Sequence, residues 1–72
     1  MNQDNNSYGA KIERGIVTHA DEDGYIVQSY DRSGLVTPKI KSIHQHQYDA
    51  GDRVYFFLFD DGCGRIIDLM DS

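Results

Sequence analysis

The chain is predicted to fold as a small all-β barrel, and three observations carry that prediction. Tyr48–Ile67 (YDAGDRVYFFLFDDGCGRII) holds the longest apolar run, and every residue of Val54–Phe59 except Leu58 is β-branched or aromatic. That composition suits a pleated surface. Asp- and Gly-rich turn signals recur near residues 21, 31, 49 and 60, leaving strand-length segments between them. No segment long enough for a helix carries an apolar period of 3.6 residues.

In chain order, Met1–Ala10 (MNQDNNSYGA) is amide-rich with little to bury, so a disordered tail is expected there, anchored at most by Tyr8. The barrel is expected over residues 11–70. Lys11–His19 reads as the first strand, with Ile12, Ile16 and Val17 apolar. Gly15 inside it signals a bulge or a close backbone approach. Asp21-Glu22-Asp23-Gly24 is a turn, Tyr25–Tyr30 the second strand, and Asp31-Arg32-Ser33-Gly34 a second turn.

Leu35–Thr37 opens a short third strand. Pro38 lacks an N–H, so that strand lies at an edge or breaks there. Lys39–Ile43 continues it with Ile40 and Ile43 expected inward, and His44–Gln47 reads as a loop or a single helical turn. The last two strands flank Asp60-Asp61-Gly62-Cys63-Gly64, which has hairpin length and composition. Val54–Phe59 is apolar on both faces, so it needs cover on each and belongs in the interior of the sheet. Five or six short strands then form a meander that must curl into a partly open barrel, OB-like or alternatively SH3-like.

At 72 residues there is room for one domain. A domain this small buries only roughly 60% of the surface its unfolded chain exposes, so stability is expected to be modest. Net charge is −5, from 12 acidic and 7 basic residues, which works against neutralising phosphates. Most late acids sit at turns, where Asp hydrogen-bonds its own backbone. No cationic-then-apolar leader or membrane-length apolar run is visible, so the expected compartment is cytoplasmic. Cys63 is the only cysteine, which leaves neither an internal disulfide nor a four-cysteine zinc site.

Few residues point to chemistry. His44-Gln45-His46 has ligand character, since on a strand both imidazoles would share a face, but two are too few. Asp49 and Asp52 could add oxygen ligands only if the loop folds back, and nothing in the spacing brings up a third imidazole such as His19. Asp21-Glu22-Asp23 has the charge of a calcium loop without its spacing. Cys63 sits between glycines with Arg65 nearby but no adjacent base. No serine lies in a nucleophile elbow. The expectation is a non-enzyme without cofactor or metal.

Aromatic residues are more telling. Five tyrosines and three phenylalanines exceed what so small a core can hold, and tyrosine is suited to interfaces. Along Val54–Phe59 one face carries Val54, Phe56 and Leu58 and the other Tyr55, Phe57 and Phe59. Tyr25, Tyr30, Tyr48, Tyr55, Phe57 and Phe59 are therefore the candidate interaction surface, covered by a flanking segment or by another chain.

Arg14-Gly15-Ile16-Val17, the crossing Tyr25–Gly34, and Tyr48-Asp49-Ala50-Gly51-Asp52-Arg53-Val54 leading to Phe59-Asp60-Asp61-Gly62 and Ile66-Ile67 resemble the small OB-fold domains of phage tail-spike and baseplate-assembly proteins. In that family a Gly-x-Val opening strand and a late G-D-x-V strand followed by a D-G hairpin frame the barrel. The resemblance spans about residues 12–69 and implies a structural protein that trimerises or packs in rings, catalyses nothing and, if phage-derived, is found in the virion. Some spikes carry an H-x-H metal motif at a trimeric tip. His44 and His46 have that spacing but precede the last hairpin.

The expected function is therefore a non-catalytic protein-interaction or assembly module with a protein partner or self-association, and no membrane. The alternatives are a single-stranded nucleic-acid-binding OB-type barrel, against which the acidity counts, or an acidic inhibitor mimicking nucleic-acid charge.

Overall fold

The computed structural model describes residues 11–71; the expected tail over 1–10, with Tyr8, lies outside them. Five strands follow in order: β1 Glu13–Asp21, β2 Gly24–Ser29, β3 Lys41–Ser42, β4 Arg53–Leu58 and β5 Gly64–Leu69. They form one sheet in the order β2-β1-β4-β5-β3, antiparallel throughout except for a parallel β3–β5 pair. The sheet curls into a small, partly open barrel. No described helix is long and apolar enough to cross a membrane.

The order is not the expected meander. β1 pairs with β4 across more than thirty intervening residues, and β3 crosses over to reach β5. Closure between β2 and β5 falls to residues 35–43. The Thr37 and Ile40 N–H groups donate to Val27 and Tyr25, and the Ile43 N–H donates to Ile66 on the far side. Pro38 interrupts this ladder, and the Val27 N–H turns to the buried Thr37 Oγ1 at 2.9 Å. That side chain replaces a ladder acceptor that would otherwise leave a buried donor unpaired. Because the segment is irregular, Ile40 points inward at 3% exposure while Ile43 points out at 51%, against the expectation that both face in.

Alternation fixes the core. Val17, Val27, Val54, Phe56 and Ile66 are fully buried on inward positions of β1, β2, β4 and β5, joined by Ile40 and Tyr48. Each large side chain so buried contributes about 2–3 kcal/mol. β4 lies between β1 and β5, as its two-faced apolarity requires. Gly15 has the expected close approach: a Cβ there would lie 2.6 Å from Gln28 O, 2.7 Å from Val27 Cγ1 and 2.9 Å from Phe56 Cε1. The bulge itself falls later, between Val17 and His19, and bends β1 so that it serves both β4 and β2.

The two ends of β1 are held differently. At its start the Glu13 carboxylate, only 5% exposed, accepts from Ser29 Oγ at 2.9 Å and from Arg32 Nη2 at 2.6 Å. Ser29 Oγ also accepts the Asp31 and Arg32 N–H groups, so one buried carboxylate fixes the turn after β2. At its end Asp21 accepts from Lys39 Nζ, lies 3.0 Å from His19 Nε2 and caps the Asp23 N–H. These contacts, Lys39 first, hold the Asp21 carboxyl well below the usual range.

Candidate interaction surface

On the outer face of the sheet the β1–β2 and β1–β4 registers bring separate segments side by side. Arg14 stands opposite Tyr55, and Ile16 stands opposite both Gln28 and Arg53. One step further, the Tyr30 N–H donates to Arg14 O at 2.8 Å, placing Tyr30 beside Arg14 on the side away from Tyr55. Tyr30–Arg14–Tyr55 therefore form a row that starts just past the end of β2 and crosses β1 and β4, with Asp68 of β5 opposite Tyr55 at its end. Tyr30 is 52% exposed and Tyr55 37%.

The two arginines are oriented rather than loose. Asp31 accepts from Arg14 Nη2 at 2.7 Å and from the Arg14 backbone N–H at 2.7 Å. Asp71 accepts from Arg53 Nη2 at 2.6 Å. The bonds to Arg14 lower the Asp31 carboxyl and raise the Arg14 guanidinium, and Asp71 raises that of Arg53. Exposed ion pairs add little stability. Their effect here is positional: each guanidinium is held on the same face as the tyrosines.

Not all expected surface residues reach this face. Tyr30, Tyr55 and half-buried Phe57 do, and Phe59 follows at the end of β4 with its ring 5.5 Å from that of Phe57 in a T-shaped contact. Tyr48 does not: it is 3% exposed and part of the core. Tyr25 is half-buried against it, their ring centroids 5.5 Å apart, and its hydroxyl accepts the Tyr48 N–H at 3.2 Å. The two tyrosines fill one end of the barrel because a phenol can bury its ring and still bond a backbone N–H at its tip. Arg14, Arg53 and Ile16 were missed as surface residues. The signal that finds them is alternation outward from Gly15 and Val54, once β1 and β4 are known to be partners.

The histidines lie elsewhere. His44–Gln47 is an exposed loop, not a strand, so His44 and His46 do not share a sheet face. The His46 ring packs on Tyr48 with centroids 4.6 Å apart, and His19 is engaged with Asp21. Both loop imidazoles border a cleft of about 300 Å³ that also takes in Asp21–Tyr25, Lys41 and Ser42. Among the described residues no three His, Cys, Asp or Glu side chains lie close enough to hold a metal ion. Cys63 is exposed and unbridged, in a loop whose Asp61 carboxylate accepts its N–H at 2.9 Å.

Comparison with protein-family models, curated proteins and solved structures found no match to this chain.

Proposed function

We propose that the chain is an OB-type barrel acting as a non-catalytic protein-interaction module, which meets its partner through the outer face of β1 and β4. A structural part of a phage-type tail or baseplate assembly is the specific form of this reading. The ring order 1-2-3-5-4 with a parallel 3–5 contact supports the OB assignment, since an SH3-like meander pairs successive strands antiparallel. In OB barrels the β1–β2 and β4–β5 loops help bind oligonucleotides. Here those loops carry Glu22 and Asp23, and Asp60 and Asp61, which repel phosphate.

One observation carries the reading: Tyr30, just past the end of β2, and Tyr55 of β4 stand exposed on either side of Arg14. Tyrosine and arginine are enriched among the residues that dominate binding energy at protein interfaces, and side chains set by backbone register lose less freedom on contact. The test is affinity capture with immobilised protein, comparing the unaltered chain with a Tyr30→Ala/Tyr55→Ala variant of equal melting temperature. The reading expects a specific protein retained by the first and lost from the second. Retention of the same protein by both contradicts it, as does preferential retention of single-stranded nucleic acid.

A further inference from the structure

Gly15 of β1 lies opposite Val54 of the antiparallel β4. Half a turn about that pair carries Arg14 onto Arg53 and Ile16 onto Tyr55. The equivalence extends to the anions, because Arg14 is bound to Asp31 and Arg53 to Asp71. The outer face is thus built on a local two-fold pattern, with Ile16 and Tyr55 at the centre and an Arg–Asp couple on either side.

We propose that this face is occupied by a second copy of the chain, forming a two-fold dimer; the inference rests on the protein-interaction reading above and names its partner. Charge complementarity carries it. A two-fold contact requires a surface that complements itself. Each Arg–Asp couple is neutral as a whole and presents both signs, so a facing couple can align cation to anion. Among the described residues, six of the seven acids in no salt bridge lie in or beside turns, Glu22, Asp23, Asp49, Asp52, Asp60 and Asp61, and the seventh, Asp68, shares the outer face with Arg65, which is likewise in none. A basic partner would be drawn to those turns rather than to the balanced aromatic face.

The proposal has a salt signature opposite to that of a basic partner. Two copies carry −5 each, and salt screens that long-range repulsion more than the short Arg–Asp contacts covered between them, so added salt tightens the dimer. Association with a basic partner, drawn in by net charge, weakens under the same change. Sedimentation equilibrium over a concentration series, at low and high salt, is expected to show monomer passing to dimer more readily at high salt. Amide shifts over the same series are expected to move at Arg14, Ile16, Arg53 and Tyr55. Tyr55→Lys, checked for an unchanged fold, is expected to weaken the dimer about tenfold or more. A monomer at every concentration overturns the proposal, as does a trimer, or a dimer whose shifts lie elsewhere. If the chain stays monomeric but captures another protein that Tyr30→Ala/Tyr55→Ala releases, only the second-copy assignment fails. If capture ignores both tyrosines as well, the underlying reading fails with it.

Discussion

The two faces of β4 share a backbone, a register and nearly the same apolarity, yet they meet different surroundings. Val54 and Phe56 point inward and are fully buried among Val17, Val27 and Ile66. Tyr55 and Phe57 alternate with them and point outward, toward Arg14, Arg53 and Arg65 of the same and neighbouring strands. The inner set is fixed by packing, where volume decides. The outer set is held by strand register and by ion pairs, leaving rings and guanidinium groups available. The contrast shows that apolarity identifies a strand as interior to its sheet without settling which of its faces belongs to the fold.

The inner face gives the largest expected effect. Phe56→Ala removes a fully buried ring and is expected to cost about 3–5 kcal/mol, enough to leave so small a domain largely unfolded. Loss of dispersed amide signals in a heteronuclear NMR spectrum checks it. Gly15→Ala attacks the same face from β1, by forcing a methyl against Gln28 O and the Phe56 ring. It is expected to cost about 1–3 kcal/mol, read from the urea midpoint. Tyr55→Ala, on the opposite face, is expected to shift that midpoint by no more than about 0.5 kcal/mol.

The charged contacts at the ends of β1 extend the comparison. Glu13→Gln keeps the volume but removes the charge that Arg32 and Ser29 bind, and is expected to cost about 1–2 kcal/mol in thermal unfolding. The smallest effect is at Asp21, whose carboxyl is lowered mainly by Lys39. A lowered folded-state value means its stabilising contribution is complete above the ordinary value of 3.8 and fades as pH falls toward the folded value. In Lys39→Met the Asp21 titration, followed by carboxyl-carbon NMR, is expected to move upward toward the ordinary value. An unchanged titration contradicts the contact.

What was legible in the sequence follows the range of the interactions. The β4–β5 hairpin is local: an apolar run, then Asp60-Asp61-Gly62, then a second run. The β1–β2 hairpin is equally local, and both stand within two residues of their expected bounds. Pairing of β1 with β4, and of β3 with β5, depends on contacts that no nearby residue marks, so a meander was the natural expectation. The third strand was blurred by Pro38 and shortened to Lys41–Ser42, which turned Ile43 outward.

The candidate surface was half legible. Alternation along Val54–Phe59 isolates Tyr55 and Phe57 without any structure. Tyr48 follows the loop and precedes a turn, so no periodicity reveals that it seals the barrel against Tyr25. Arg14–Asp31 and Arg53–Asp71 join residues 17 and 18 positions apart, a distance at which sequence spacing says nothing.

The separation of tasks between the two faces of β4 is tested most directly by one variant read two ways. Tyr55→Lys, measured for both thermal midpoint and association, is expected to keep its midpoint and lose its association. A collapsed midpoint would make Tyr55 part of the fold, and association undiminished in a well-folded variant would place the contact on another surface.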